Sequence, residues 1–256
     1  ILSRLLLYLR YSNVTLGVPG IDFHAGLLGD VAGAVERIER SIAKSGLTLS
    51  GLSLSTNFNL ESADELKAMI EKTKEWIQVA ARVKAPVSRI FGGSLAKEKR
   101  TDPAARRAAM PRIVNALGEV TREAEKLDLV LALENHGGLP CTGEEQVDVI
   151  KAVGSPKLRA TIDVGNYMAG GQEGVDGTRV AAGCCAYVHF KDFKKVPDQS
   201  TPWGWGTQAC VVGQGVVDHL ACLEVLKQSG YDGFIALEYE GPEDEKTGVP
   251  ASVRFM

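Results

Sequence analysis

The sequence predicts a single α/β domain with the (β/α)8 TIM barrel fold. Strand-like and helical runs alternate from about residue 17 to the end of the 256-residue chain, which is typical of a parallel α/β fold. No linker or low-complexity stretch divides residues 1–256. Metal-binding side chains end four successive strand-like runs, and they can converge only if the sheet curves around them. An open, doubly wound sheet is the alternative.

Seven apolar runs are predicted as strands, whereas a closed barrel needs eight. The predicted strands are Gly17–Ile21, Leu49–Ser55, Ser88–Phe91, Leu129–Asn135, Arg159–Asp163, Tyr187–Lys191 and Phe234–Glu238. Too few residues precede Gly17 to hold a strand, a helix and a return. We therefore expect the first βα unit to be truncated or degenerate, and the missing initiator Met leads us to expect further residues upstream.

Amphipathic helices are predicted between the strands. Apolar residues recur at spacings of three and four in two stretches, at Val31, Val35, Ile38 and Ile42, and at Met110, Ile113, Leu117, Val120, Ala124 and Leu127. Each stripe is expected to face the core. Helix starts are indicated by Ser62 with Glu65, by Thr142 with Glu145, and by Asp102 before Pro103.

The composition disfavours several classes of partner. The formal net charge is −3 and the basic residues are scattered, so we expect neither nucleic acid nor an anionic membrane as a partner. The apolar run Ile1–Leu9 is too short to span a bilayer. The five cysteines form no CxxC pair and are odd in number, which favours a reducing compartment. These observations predict a cytoplasmic protein that acts on a small polar substrate.

Four strand ends carry the side chains of a candidate metal site. The motifs LALENHG, ATIDVGN, YVHFKD and ALEYEG supply Glu134, Asp163, His189 and Glu238. Burying such groups is costly unless they are paired or coordinated, so one shared divalent cation would explain all four. Carboxylates with one imidazole favour Mn²⁺ or Mg²⁺ and tolerate Co²⁺ or Zn²⁺.

These motifs resemble those of the xylose isomerase-like TIM barrels. The resemblance runs from about Leu27 to Phe255 and is most specific in LALENHGG, TIDVGN, VHFKDF and GQGVVDHLACLEVLKQSGYDGFIALEYEG. That family contains sugar isomerases and epimerases, inosose dehydratase-type lyases and endonuclease IV-type endonucleases. The resemblance implies that the four candidate ligands bind one divalent metal ion. The first barrel strand has no clear counterpart here.

The resemblance also implies a reaction. In the similar epimerases, two metal-bound glutamates lie on opposite sides of the substrate, which would make Glu134 and Glu238 the acid/base pair of an isomerase or epimerase. A keto sugar or related polyol would react through an enediolate. Lys191, on the face of His189, is expected to stabilise charge on a substrate oxygen. Further candidate substrate contacts are His136, His24, Trp203 and Trp205.

Other functions remain open at this stage. A lyase or dehydratase would begin with the same proton abstraction and then expel a β-substituent. A DNA-repair enzyme is disfavoured, because its multinuclear zinc cluster needs many histidine and acidic ligands, whereas this sequence has only four histidines and indicates no basic groove. A non-catalytic sugar-binding barrel or scaffold is a third class. No phosphate-binding loop stands out, which favours an unphosphorylated substrate, and a homo-oligomer is compatible with the sequence.

Overall fold

Seven parallel strands form one sheet that curves into a near-closed barrel. The computed structural model describes residues 16–196 and 206–256. The barrel strands, in the order in which they lie, are β1 Gly20–His24, β2 Thr48–Ser53, β3 Ser88–Phe91, β4 Leu131–Glu134, β5 Leu158–Asp163, β6 Cys185–Phe190 and β9 Ile235–Leu237. The two edges approach each other, since a Cβ atom on Gly20 would lie 2.8 Å from Cε1 of Phe234.

Helices connect the strands and cover the outside of the barrel. Those in the described residues are α1 Ala25–Leu28, α2 Ala34–Ser45, α3 Ala63–Arg82, α4 Pro103–Lys126, α5 Gly143–Val153, α6 Gly174–Ala181, α7 His219–Gln228 and α8 Glu245–Phe255. Within the described ranges, none of these helices has the length and hydrophobicity needed to cross a membrane.

The three predicted helix starts are confirmed. Oγ of Ser62 accepts a hydrogen bond from the Glu65 amide at 3.3 Å, and Oγ1 of Thr142 accepts one from the Glu145 amide at 3.2 Å. Asp102 caps α4 by accepting from the Ala104 amide at 2.8 Å. Each cap satisfies an amide that has no partner within its own helix.

The predicted barrel is confirmed, with differences at its front and after β6. Strand β1 begins at Gly20, whereas the prediction began at Gly17, because Pro19 lacks an amide proton for the ladder. The strand continues to His24, since Ile21 and Phe23 pack outward while polar residues alternate with them. An antiparallel hairpin, β7 Asp192–Lys195 and β8 Thr207–Cys210, was not predicted. No eighth barrel strand pairs with either edge in the described residues.

Most of the apolar core lies between the barrel and its helices. Leu131, Leu133, Ile162 and Val188 belong to this outer core, as do residues of the predicted helical stripes. Leu127 is an exception, because it lies one residue beyond the end of α4 and is 38% exposed. A small apolar cluster inside the barrel contains Val87, Ala132 and Tyr187. The next inward positions toward the strand ends carry polar side chains.

Candidate metal centre

Four side chains converge at the carboxyl ends of the barrel strands. Glu134 ends β4, Asp163 ends β5, His189 is the penultimate residue of β6, and Glu238 directly follows β9. One ligand atom from each lies within 4.8 Å of the other three. The structure thus brings together the four residues that the sequence indicated, because two-residue alternation places all of them on the inner face.

In both Asp163 and Glu134, local hydrogen bonds hold one of the two carboxylate oxygens in place. Oδ1 of Asp163 accepts from the amides of Gly165 and Asn166, each at 2.9 Å. The side-chain amide of Asn166 donates to Oε1 of Glu134 at 3.1 Å. The Asn135 side chain donates to the carbonyl of Asp163 at 2.9 Å and accepts from its amide at 3.0 Å. The ends of β4 and β5 are therefore held together, with the second carboxylate oxygens directed elsewhere.

Those second oxygens and the imidazole suit a divalent cation. Within the described residues, Oε2 of Glu134, Oδ2 of Asp163 and both ring nitrogens of His189 are buried without a hydrogen-bond partner. An unsatisfied buried polar group costs about 1–3 kcal/mol. Three of these atoms have charged neighbours at ion-pair distance that form no hydrogen bond with them, and one cation would bind both oxygens and one of the ring nitrogens. Carboxylate oxygens with one imidazole fit Mg²⁺ or Mn²⁺ and also accept Zn²⁺. The donor set therefore fits the metal site that the sequence predicted.

Two buried cations lie among these carboxylates. Nζ of Lys191 is 2.8 Å from Oε2 of Glu238, 3.3 Å from Oε2 of Glu240 and 3.5 Å from Oδ2 of Asp163. Nε of Arg89 is 3.0 Å from Oε2 of Glu134. The cluster thus carries part of its countercharge within the protein itself.

Burial and neighbouring charges shift the pKa values of the carboxylates in this cluster. Burial raises the pKa of Glu134 to about 7, the Arg89 charge opposing this shift only in part. Burial likewise raises the pKa of Asp163. Burial also acts to raise the pKa of Glu238, but the charges of Lys191 and His189 outweigh it and hold that pKa well below its ordinary value. Two glutamates in one cluster therefore differ in proton affinity.

Neighbouring carboxylates raise the pKa of His189. Burial lowers its pKa, but Glu238 and Glu134 outweigh burial and raise it to about 9. Its Nδ1 lies 3.3 Å from Oε1 of Glu238 and 3.4 Å from Oε2 of Glu134. A metal ligand must be the neutral imidazole, so below its pKa a cation that binds here has to displace a proton from the His189 ring. For Lys191, burial opposes the charge, but Glu238, Asp163 and Glu240 outweigh it and hold its pKa well above the ordinary value.

His136 and His24, two other predicted substrate contacts, are not among the four converging ligands and make contacts of their own. The ring of His136 stacks on Phe91 with centroids 4.2 Å apart, and burial, followed by the charges of Lys191 and Arg89, lowers its pKa to about 3. His24 caps α1 by accepting from the Gly26 amide at 3.1 Å, and its Nε2 lies 2.9 Å from Oγ of Ser55. Trp203 and Trp205 lie outside the described residues.

Sequence reasoning missed four polar residues at or near the cluster, namely Asp22, Arg89, Asn166 and Glu240. Arg89 was inside a correctly predicted strand, where alternation with the outward-packed Ile90 already indicates an inward side chain. Oδ2 of Asp22 is buried, and desolvation raises the pKa of this carboxyl despite the nearby charges of His189 and Arg89. An inward polar residue in a strand was the signal available in both cases.

Comparison with protein families shows which family the chain belongs to. The family described as Xylose isomerase-like TIM barrel matches residues 14–256, and the chain belongs to this family. Among curated proteins, it is 30% identical over 147 residues to the inosose dehydratase of Bacillus licheniformis, covering 51% of this chain and 46% of that protein. It is 27% identical over 136 residues to the uncharacterized protein MJ1311 of Methanocaldococcus jannaschii, covering 51% and 43%. The matched segments thus span less than half the length of these relatives.

Solved structures of low sequence identity share the fold. The 3-keto-D-glucoside 4-epimerase YcjR from E. coli superposes with a TM-score of 0.77 at 15% identity, covering 98% of this chain and 93% of that one. The IolI protein with a bound zinc atom gives 0.75 at 18% identity, covering 98% and 88%. A xylose isomerase-like TIM barrel protein from Mycobacterium smegmatis in complex with magnesium gives 0.72 at 19% identity, covering 98% and 85%.

Proposed function

We propose that this member of the xylose isomerase-like TIM barrel family is a divalent-metal-dependent isomerase or epimerase of a keto sugar or related polyol. The observation that carries the proposal is the convergence of Glu134, Asp163, His189 and Glu238, whose ligand atoms lie within 4.8 Å of one another. Two of the four are glutamates, which can both bind a cation and exchange protons. Metal ions occur in two solved relatives, as zinc in the IolI protein and magnesium in the mycobacterial protein.

These four residues would hold one divalent ion, with Mn²⁺ or Mg²⁺ favoured and Co²⁺ or Zn²⁺ tolerated. When bound, such an ion acts as a Lewis acid that polarises a carbonyl and acidifies the neighbouring C–H group. The atoms available to bind an ion are Oε2 of Glu134, Oδ2 of Asp163 and a ring nitrogen of His189, which make no hydrogen bond within the described residues. They support the assignment independently of any relative.

Glu134 and Glu238 are proposed as the acid/base pair. They belong to β4 and to the end of β9, and β5 and β6 lie between those two strands in the sheet. The two carboxylates therefore approach the centre from different sides. One would remove the proton from the carbon beside the carbonyl, giving an enediolate, and the other would return a proton from its own side. The burial of Glu134 keeps competing water away from a proton that it holds.

Lys191 is proposed to stabilise negative charge on a substrate oxygen. An ammonium group has three donors, and in the structure Nζ faces three carboxylates. The Asp163 contact, at 3.5 Å, is the longest of the three. A substrate oxygen would exchange with that contact at the smallest cost, and Glu238 would keep its own partner at 2.8 Å.

Four further residues are proposed as substrate contacts. His136 follows β4 and would bind a substrate hydroxyl, and His24 would line the same mouth from β1. Trp203 and Trp205 are proposed to pack against the carbohydrate. We further propose that the protein works in the cytoplasm, free of nucleic acid and membrane, alone or as a homo-oligomer.

A dehydratase is the second candidate function. The match to the inosose dehydratase of Bacillus licheniformis, at 30% identity over 147 residues, specifically favours it. The first proton abstraction would be the same, but the resulting enolate would expel a β-hydroxyl group instead of being reprotonated. A non-catalytic sugar-binding barrel is the remaining alternative, and it would not require the orphaned donor atoms to converge.

Turnover in D₂O distinguishes these functions. Metal-loaded protein is incubated with a panel of ketoses and keto-inositols, and the products are analysed by mass spectrometry. An isomerase or epimerase of the proposed kind incorporates one solvent deuteron next to the carbonyl. Loss of water from a substrate at a competent rate would support the dehydratase, and unlabelled isomerised product would exclude proton transfer by the glutamate pair.

A further inference from the structure

Arg89 is a buried arginine at the candidate metal centre that none of the proposed steps uses. It lies in β3, in register with Ser53 of β2 and Ala132 of β4. Only 4% of its side chain is exposed. Burying a charge costs several kcal/mol per ion unless its partners are well placed. The partners of this guanidinium therefore decide what it does in the site.

Two contacts fix the plane of the guanidinium. Nη1 donates to the carbonyl of Leu54 at 3.2 Å, just beyond the end of β2. The Cζ atom lies 4.2 Å from the centroid of the Phe91 ring, two residues along the same strand. A planar group held on one edge and on one face has little freedom to rotate. Its remaining edge, Nε with Nη2, lies beside the carboxylates in ion-pair contact, and Nε makes no hydrogen bond within the described residues.

That edge reaches both members of the proposed acid/base pair. Nε is 3.0 Å from Oε2 of Glu134, and Nη2 is 3.7 Å from Oε1 of Glu238. Neighbouring donors of one rigid fork thus contact carboxylates from two different strands. Nδ1 of His189 also lies close to these two oxygens, 3.3 Å from Oε1 of Glu238 and 3.4 Å from Oε2 of Glu134. His189 is itself one of the four candidate metal ligands, whereas Arg89 contacts both glutamates from outside that set. Lys191 cannot replace this link, since it holds Glu238 at Oε2, on the other carboxylate oxygen.

We propose that Arg89 is a positioning residue that sets the separation and orientation of the Glu134 and Glu238 carboxylates. The inference rests on the proposed function, in which these two groups exchange protons with one substrate. A displacement of about 1 Å can cost about 100-fold in rate when reacting groups must be aligned. Arginine suits this role because its fork has two donors at fixed spacing, whereas lysine offers a single point charge.

The test compares Arg89→Ala and Arg89→Lys with the same substitutions at Arg159. Arg159 also lies in a barrel strand and donates to a backbone carbonyl, that of Cys185, at 3.1 Å. It is the second residue of β5, at the end of the barrel opposite the candidate metal centre. For each protein we measure kcat and KM, the binding stoichiometry of Mn²⁺, and the electron paramagnetic resonance spectrum of bound Mn²⁺. Each measurement is repeated with added guanidinium chloride at concentrations that do not unfold the protein.

A positioning role predicts a specific pattern. Arg89→Ala should bind one Mn²⁺ but lose about 100-fold in kcat, with KM changed less than about fivefold. Arg89→Lys should lose at least about tenfold, because an ammonium lacks the fixed spacing of donors with which the guanidinium faces both glutamates. Added guanidinium should restore at least about tenfold in kcat to Arg89→Ala and none to the Arg159 variants. Wild-type kcat in Arg89→Lys, kcat within about threefold of wild type in Arg89→Ala, or an absence of rescue would overturn the proposal.

The Mn²⁺ spectrum separates this inference from the proposed reaction. In Arg89→Ala the spectrum should change, because two ligand carboxylates lose their contacts with the guanidinium, and added guanidinium should shift the spectrum back. An unchanged spectrum would overturn the positioning role even if the enzyme is an epimerase. If wild-type protein turns over no keto sugar while the spectrum still changes and recovers, the reaction is wrong and the positioning of the two glutamates stands.

Discussion

The ammonium group of Lys191 lies 2.8 Å from Oε2 of Glu238, and both groups belong to the inner face of the barrel. Lys191 follows β6 directly, and Glu238 follows β9, the neighbouring strand. The contact supplies the positive charge that keeps the pKa of Glu238 well below its ordinary value although burial acts against it. A carboxylate that stays ionised next to a cation site can serve as a ligand and as a base. Lys191 thus acts on Glu238 and is also proposed to act on a substrate oxygen.

Replacement of Lys191 by Met should lower turnover more than it weakens substrate binding. A cation directed at a developing oxyanion acts mainly in the transition state, so we expect kcat to fall about 100-fold or more while KM changes less. Lys195→Met is the matched control, since Lys195 lies in the adjoining hairpin with 66% of its side chain exposed. Steady-state kinetics would contradict this role if kcat were unchanged and only KM rose.

Glu134→Gln and Glu238→Gln should each abolish turnover while the fold stays intact. Glutamine keeps the size of the side chain but loses both the charge that binds a cation and the capacity to accept a proton. Glu224→Gln, on the exposed face of α7, is the control. Circular dichroism would verify the fold. Turnover within about tenfold of wild type in either site variant would exclude that residue from the acid/base pair.

Asn166 should support the metal site through Glu134. Its side-chain amide donates to Oε1 of Glu134 at 3.1 Å, and groups that orient a ligand commonly change metal affinity by about 10–100-fold. Asn166→Ala should therefore bind Mn²⁺ about tenfold more weakly or worse in a calorimetric titration. Asn115→Ala, at an exposed position of α4, should match wild type. Equal affinities for both variants would show that this hydrogen bond does not orient the ligand.

The stabilisation that a metal provides should grow with pH. In the metal-free protein the pKa of His189 is raised from 6.5 to about 9, because Glu238 and Glu134 outweigh burial, and burial raises that of Glu134 from 4.5 to about 7. Raised folded-state pKa values give stability that is fully present below the unfolded values and is lost as pH rises through the folded ones. A bound cation replaces these protons, so it competes best when they have left.

Scanning calorimetry of stripped and Mn²⁺-loaded protein would measure this effect. The increase in Tm on loading should be larger near about pH 9 than near about pH 6. The same titration carried out at neutral pH in buffers of different ionisation enthalpy should reveal proton release on binding. A larger increase in Tm at the lower pH would mean that His189 and Glu134 are not the ligands that lose protons.

The sequence predicted the barrel and its four converging ligands because two-residue alternation is a local rule. Glu134 and Asp163 are the last residues of strands whose apolar faces are easily recognised. Arg89 was not predicted as a site residue, because its strand is only four residues long and was recognised as a strand by its apolar residues. The contact between Arg89 and Glu238 joins strands far apart in sequence, at a separation set by the curvature of the whole sheet. Such distances depend on tertiary packing and cannot be derived from local patterns.

The binding of one divalent ion by Glu134, Asp163, His189 and Glu238 is the central claim, and calorimetric titration of metal-stripped protein with Mn²⁺ tests it without any knowledge of the substrate. We expect wild-type protein to bind one Mn²⁺ per chain. Asp163→Asn, which removes a carboxylate whose Oδ2 has no hydrogen-bond partner in the described residues, should lose that binding while Glu224→Gln retains it. Wild-type protein that binds no divalent cation, or Asp163→Asn that binds Mn²⁺ as tightly as wild type, would contradict the account.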